Sequence, residues 1–390
     1  MYTDLAREFR DLGHDVYVVC PAQRREGGGT QLVEEDGVRI LRVRTGNLTQ
    51  AGLLEKTLST VTLGGAFKRG IKSAFPDLAF DLILYSTPPV TLAGAVEYLK
   101  KRHGGVAYLL LKDIFPQNAV DLGYMRRGGL PWLYFRGHER RLYRVSDWIG
   151  CTSQATVRYV IDHNPSVQPE KLEICPNTIS PLLRMANPEA RDAARSRLGL
   201  CDSDVLFLYG GNFGKPQGFD FILECITRVR QVREAVFLLV GSGTEFHRVE
   251  KFLGETRIGN VRLLSEVPRD EYDMLMAAAD VGLVFLDHRF TVPNFPLRVT
   301  GYMEAGIPVI AATDRASDVG KVLESAGAGV WVPSDDPEAF VDAVRMMTES
   351  RERRVAMGHA GRRYLEEHYT SRDACSKILA HFEIAEHEES

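Results

Sequence analysis

Leu286–Asp314, LDHRFTVPNFPLRVTGYMEAGIPVIAATD, reads as the end of an apolar strand, a long loop, a short helix and a second buried strand. The loop presents Asn294, Phe295, Pro296, Leu297 and Arg298 where the helix should start. A helix start carries free backbone N–H groups and a partial positive charge, so it suits a phosphate. The apolar run Ile307–Ala312 then opens a new strand, with Pro308 at its edge. Strand, loop, helix and strand in that order, with apolar strands, imply a parallel sheet covered on both faces.

The same alternation extends in both directions. After it come strand Gly329–Val332 and helices over 337–347, 351–367 and 371–385; before it come strands at 205–209, 235–240 and 261–264. A first half repeats the pattern, with strands at 16–20, 38–43, 82–85, 106–111, 148–151 and 172–175. A helix over 53–72 is expected to break at Gly64-Gly65, and Arg24–Thr30, with three glycines, reads as a loop. The polar, Ala/Arg-rich stretch 181–204 reads as the connection between halves. The expected fold class is α/β: two Rossmann-like doubly wound domains facing across a cleft. They span 1–185 and 186–370, and the helix at 371–390 is expected to pack back on the first. A Rossmann-like domain normally opens with a strand and a Gly-rich loop, whereas this chain opens inside the helix that should follow. A truncated start is the expectation; the alternative is that another segment fills the slot.

Composition narrows the function classes. The 390 residues are 44% hydrophobic and 26% charged, with a formal net charge of -4, which argues against a nucleic-acid partner. No apolar run approaches the ~20 residues that span a bilayer, and the N-terminus lacks the pattern of a signal peptide. The six cysteines form no C-x-x-C pair and are expected to be free thiols in a reducing, cytoplasmic setting. The ten histidines show no ligand spacing, so no protein-bound metal is expected.

Two further loops carry phosphate chemistry. Phe207–Asp220, FLYGGNFGKPQGFD, runs from a strand through Gly211 and Gly214 to a helix near Gly218. Its glycines admit a ligand close to the backbone, Lys215 offers a point charge, and Asn212 and Gln217 offer hydrogen bonds. It is neither G-x-x-x-x-G-K-[ST] nor G-x-G-x-x-G, and an ordinary strand-to-helix turn is the competing reading. Gly241–Glu245 is a second such loop, with Thr244 as the expected N-cap.

Taken together, these stretches resemble the donor half of the GT-B glycosyltransferases, in particular the retaining family 4. Gly211, Asn212, Gln217, Gly218 and Asp220 stand at the places of G-[RN]-x-x-x-x-[KQ]-G-x-D. Val240–Gly243, the segment Asn260–Pro268 and Glu304–Ala311 match further motifs. Within that family the chain is similar to bacterial capsule, O-antigen and exopolysaccharide enzymes of fucosamine or N-acetylhexosamine transferase type. These often carry F-P-[ST]-[KR], here Phe295-Pro296-Leu297-Arg298, and G-N-x-G-K-x-Q-G, here Gly211–Gly218. The wider E-x7-E signature would put glutamates at Pro293 and Gly301, and neither is present. The resemblance implies a nucleotide-sugar co-substrate, a UDP-sugar with its uracil near Leu264 and Val267, and no metal or tightly bound cofactor. Lys215 and Arg298 would hold the diphosphate. Glu304 is a candidate for the sugar hydroxyls, against a bland reading as a surface glutamate. Domain closure over the donor is also implied. The competing functions are a sugar-nucleotide epimerase of the same fold and an inactive binding or assembly protein.

In the first half, Ser86 follows one strand and Lys112–Asn118 follow another. Asp113, Gln117 and Asn118 suit sugar hydroxyls, and Asp113 suits a general base on the acceptor or a counter-charge to the donor sugar; a cap and turn is the alternative. The acceptor implied is a lipid-linked or saccharide one. Residues 124–144 hold six arginines among aromatics. One reading is contact with the inner face of an anionic membrane, and the other is a solvated helix with an apolar inner face.

Overall fold

The computed structural model describes residues 1–48, 52–181 and 188–388, in two compact units, 1–180 with 371–390 and 181–370. In the first unit the strands are β1 (Tyr17–Gln23), β2 (Gln31–Glu35), β3 (Val38–Thr45), β4 (Leu82–Ser86), β5 (Val106–Leu111), β6 (Trp148–Cys151) and β7 (Leu172–Ile174). They form two sheets, β1-β3-β2 and β4-β5-β6-β7, parallel except for the β2–β3 pair. Among the described residues no strand pairs β1 with β4. The two sheets share one core: Leu41 and Val43 of β3 pack with Ile83, Ala107 and helix Leu53–Ala74. On the opposite face, Leu5 and Phe9 of helix Tyr2–Asp11 pack with Tyr108, Cys175 and with Cys375 and Ile378 of helix Ser371–Glu388.

One strand is added to the expected set, and one expectation changes. The region after the glycine run holds β2, joined to β3 through Asp36-Gly37, both with positive φ (51° and 73°). That is a two-residue hairpin turn of the Asp-Gly kind, which favours the strand twist. Helix Leu53–Ala74 also runs through Gly64-Gly65 without a break. A Cβ on Gly64 would lie 2.3 Å from the Thr91 carbonyl oxygen, so this glycine admits a close backbone approach. Thr91 Oγ1 donates to the Thr60 carbonyl across the same contact, 2.7 Å.

The second unit has one six-stranded parallel sheet, ordered β10-β9-β8-β11-β12-β13. Its strands are β8 (Val205–Asn212), β9 (Ala235–Ser242), β10 (Val261–Leu264), β11 (Val281–Phe285), β12 (Val309–Thr313) and β13 (Gly329–Pro333). Strands β8, β11 and β12 are buried along their apolar lengths, as continuous runs covered on both faces should be. The reversal of strand order at β8/β11 makes the loops after these strands the place where open α/β sheets hold ligands.

The stretch 181–204 is not plain connection. Residues 182–187 lie outside the described residues, but Pro188–Arg197 is a helix, as its alanine and arginine content favours. Arg191 Nη2 and Arg195 Nη1 donate to the two carboxylate oxygens of Asp280, at 2.6 and 2.8 Å, and the Leu206 N–H donates to Asp280 at 2.8 Å. Asp280 is thus the hub that fixes this helix to the start of β8. Asp280→Ala is expected to lower the unfolding free energy by about 2 kcal/mol, the range of a lost charge-assisted hydrogen bond. A urea titration of the variant against the parent checks it, and an unchanged midpoint would refute it.

Candidate donor and acceptor sites

In the second unit, the loops after β8 and β9 lock together through Phe213. Its ring is fully buried, stacked on Phe219 at 5.0 Å. Its N–H donates to the Ser242 carbonyl and its carbonyl accepts from Glu245 N–H, both 2.8 Å. Gly211 and Gly241 have φ of 143° and 147°. A Cβ on Gly241 would fall 1.8 Å from the Gly211 carbonyl oxygen, so both loops can lie this close only as glycine. Gln217 Oε1 accepts from Gly214 N–H at 3.2 Å, which closes the loop on itself. Lys215 is half-buried in a single 3-10 turn beside it. The following helix starts at Phe246 with Glu245 at its N-cap and no side-chain cap, so Thr244 is not the cap.

The opening stretch places its residues on this loop pair. Helix Arg298–Glu304 has only seven residues. Val299 N–H and Thr300 N–H already donate to the Pro296 and Leu297 carbonyls, at 3.1 and 3.2 Å. Those amides are therefore engaged, and the helix start offers less to a phosphate than the sequence suggests. The side chain of Arg298 offers more. Its guanidinium lies over the Tyr209 ring, 4.6 Å from the centroid, and so near Gly211 that a Cβ there would meet Nη2 at 2.6 Å. Tyr209, Tyr272 and Tyr302 surround it, and burial raises the pKa of all three phenols, which keeps them neutral. Nη1 is buried with no hydrogen-bond partner, and among the described residues no carboxylate pairs with Arg298. A buried guanidinium without a counter-charge is costly unless an anion arrives.

The remaining loop residues divide by role. Asn294 N–H donates to Ser317 Oγ at 2.9 Å, and Asp314 in turn accepts from Ser317 Oγ at 3.0 Å and from its N–H at 2.8 Å. Burial pushes the Asp314 carboxyl up to about 6. The Phe295 ring is buried against Tyr369, centroids 5.8 Å apart, while Leu297 is exposed. At Gly301, one of the two places where the family glutamates would stand, a Cβ meets no atom within 4 Å. The Glu304 carbonyl accepts from Arg362 Nη1 at 2.8 Å. Leu264 ends β10, and beyond it Glu266 accepts from Ser242 Oγ at 2.9 Å. The tyrosines around Arg298 and the Ser242–Glu266 pair lay outside the sequence reading. Tyr209 and Tyr302 sit in apolar runs that read as core, and nothing in the chain marks Tyr272 or Glu266.

In the first unit, Thr87 ties the turn after β4 to the turn after β5. Its Oγ1 donates to the Asp113 carbonyl at 2.9 Å and lies 3.1 and 3.2 Å from the N–H groups of Lys112 and Asp113. Lys112 turns inward, Nζ donating to the Cys175 and Pro176 carbonyls at 3.2 and 3.0 Å. Asp113 accepts from Asn118 Nδ2 at 2.7 Å. Burial outweighs the N–H bonds from Ile114 and Asn118 and pushes the Asp113 carboxyl up to about 6. Asn118 Oδ1 is buried without a partner, so it can accept from a hydroxyl. Gln117 instead donates to Asp121, 2.8 Å, and Ser86 bonds the Tyr2 hydroxyl. Asp113 and Asn118 therefore stand together, and Gln117 and Ser86 are engaged elsewhere. All six cysteines are free thiols. Among the described residues no cluster of three or more His, Cys, Asp or Glu could hold a metal ion, and no helix is long and apolar enough to cross a membrane.

Known proteins match both units. The family "Glycosyl transferase 4-like domain" matches residues 2–178, and "Glycosyl transferases group 1" matches residues 190–364. "Probable glycosyltransferase WbjE" of Pseudomonas aeruginosa is 24% identical over 355 residues, covering 89% of this chain and 84% of the relative. WcaI of Escherichia coli (strain K12), a glycosyl transferase named for colanic acid biosynthesis, is 24% identical over 299 residues, 74% of this chain and 72% of its own. The crystal structure of Anabaena Alr3699/HepE in complex with UDP and glucose superposes with a TM-score of 0.65 at 14% identity, covering 89% of this chain and 86% of that one. The chain belongs to the group 1, family 4 glycosyltransferases of GT-B fold, enzymes that use nucleotide-sugar donors.

Proposed function

We propose that the chain transfers a sugar, of N-acetylhexosamine type, from a UDP-sugar to a lipid-linked or glycan acceptor in bacterial surface polysaccharide synthesis, with retention at the anomeric carbon. The observation that carries this is the buried Arg298 guanidinium, without a carboxylate partner among the described residues, beside the glycine loop 211–218. A diphosphate supplies the missing counter-charge, and Arg298 with Lys215 neutralises the charge that grows on it as the glycosidic bond breaks. The relatives support the wider setting: WcaI is named for colanic acid biosynthesis, and the Anabaena protein binds UDP and glucose.

The second unit is the donor domain in this reading. Gly211, Asn212, Gly214, Gln217, Gly241 and the stretch Asn294–Leu297 shape the diphosphate site, Leu264 and Val267 flank the base, and Glu304 serves the sugar. The first unit is the acceptor domain, through Asp113 and Asn118; Gln117 and Ser86, held by Asp121 and Tyr2, take no part in this reading. The acceptor hydroxyl attacks the face the diphosphate leaves, and the departing phosphate takes its proton; Asp113 orients the hydroxyl and balances positive charge on the sugar. No metal takes part in this scheme. The protein works in the cytoplasm, at the inner face of the membrane.

A thermal-shift panel of UDP, GDP and dTDP tests the donor site. UDP at 100 times its dissociation constant should stabilise the chain by about 2.7 kcal/mol. Absence of a shift with every nucleoside diphosphate would overturn the reading.

A further inference from the structure

We infer that Asp314 and Ser317 are positioning residues for donor binding: they fix the loop 294–298 and so aim Arg298 at the diphosphate. This rests on the assignment of the diphosphate to Arg298. Asp314 follows β12 directly and is 1% exposed. Its Oδ1 accepts from the N–H groups of Ala316 and Ser317, at 2.9 and 2.8 Å. Its Oδ2 accepts from Ser317 Oγ at 3.0 Å, and Ser317 Oγ accepts from the Asn294 N–H at 2.9 Å.

These contacts run in one direction. A backbone N–H can only donate, so Asn294 uses the Ser317 hydroxyl as an acceptor and leaves its proton for another partner. The Asp314 carboxylate takes that proton on one oxygen while the other oxygen holds the two N–H groups. A turn between β12 and helix Val319–Ala326 needs only those two N–H bonds. The third bond adds nothing to the turn. It orients a hydroxyl towards a loop 23 residues earlier in the chain.

The anchor itself is rigid. Thr313, fully buried at the end of β12, accepts at Oγ1 from Trp331 Nε1 of β13 at 2.9 Å. Strand β12 is paired on both sides, with β11 and β13. At the other end of the same stretch, the Asp287 N–H donates to the Pro216 carbonyl at 2.9 Å, which fastens it to the glycine loop. The stretch from Asp287 is thus tied to the glycine loop at its start and to β12 at Asn294. Arg298 comes four residues after the second tie. A reacting group is effective only when the residues behind it hold it in place. A misplacement of about 1 Å can cost about 10²-fold in rate.

Calorimetric titration of UDP into the full chain and its variants tests the role. Ser317→Ala should weaken UDP about tenfold, the worth of one hydrogen bond. Ser317→Thr keeps the hydroxyl and should restore most of the affinity. Asp314→Asn keeps the shape but turns an NH2 group towards a hydroxyl that already accepts from Asn294, so it should weaken UDP at least as much as Ser317→Ala. The deciding comparison is with Arg298→Met. Residues that act through Arg298 lose their effect once it is gone, so adding Ser317→Ala to Arg298→Met should cost little further affinity. The same loss in both backgrounds would overturn the inference, because the pair would then act independently of the arginine. Normal UDP binding by Ser317→Ala would overturn it too, as would a Ser317→Thr chain as weak as the alanine variant. Thermal melts without ligand confirm that each titration reads a folded chain. Failure of the donor-site reading looks different: Arg298→Met would itself bind UDP as the parent does.

Discussion

Arg298→Met is expected to lower kcat/KM by about 10²–10³-fold, the loss that follows removal of one preorganised donor to a developing negative charge. UDP affinity should fall by about 1.5–3 kcal/mol, as for a charge-assisted hydrogen bond. Stability without ligand should move the other way or not at all. The guanidinium is buried among neutral phenols with Nη1 unpartnered, so it costs the empty protein desolvation that no counter-charge offsets. Methionine keeps much of the length and can still pack on the Tyr209 ring. Calorimetric titration with UDP and a thermal melt of the empty protein separate the two effects. A structural role for Arg298 would give the opposite pair of results: a variant that melts earlier and binds UDP normally.

The glutamates missing from Pro293 and Gly301 sharpen the same point. A Cβ at Gly301 opens into space one helical turn beyond Arg298. The chain carries no carboxylate at that place. Glu304, at the helix end with its carbonyl held by Arg362, is the next carboxylate along the helix.

Much of the second unit was legible because its strands are buried on both faces and so write continuous apolar runs. The loops were legible because glycine at Gly211 and Gly241 answers a steric need that no other residue meets. What escaped was tertiary. Arg191 and Arg195 read as linker charges, and only the fold brings them to Asp280 across more than 80 residues of chain. The engaged amides of Val299 and Thr300 depend on the pitch of one short helix turn. The three tyrosines around Arg298 come from β8 and from helices starting at Arg269 and Arg298, so no local pattern joins them. Strand β2 was missed for a different reason: the loop reading ends at Thr30, and the signal of the strand beyond it, the hairpin turn Asp36-Gly37, was left unread.

Asp113→Asn should abolish most transfer yet make the protein more stable at neutral pH. The loss in rate is about 10²–10⁴-fold if the carboxylate handles the acceptor proton or balances sugar charge. The stability sign follows from the carboxyl's pKa of about 6 in the fold, against about 3.9 in an unfolded chain. Below about pH 4 both states hold the proton and burial of the group adds no penalty. As pH rises towards 6 the unfolded chain releases the proton and the fold retains it, so native stability is lost. Above pH 6 the full penalty of about 2–3 kcal/mol applies. The amide escapes it, and its oxygen can still accept from Asn118 Nδ2. Asp314, with the same upward shift, puts its own limb in both curves, so the difference between variant and parent is the quantity to read. Urea unfolding from pH 4 to 8 should show the two chains converging at the acid end and the variant ahead at the neutral end. Transfer by the parent should fall below about pH 6, where the carboxyl protonates. A variant less stable at pH 7.5 than at pH 4.5, relative to the parent, would mean that Asp113 is a structural cap, and the acceptor role would pass to another group.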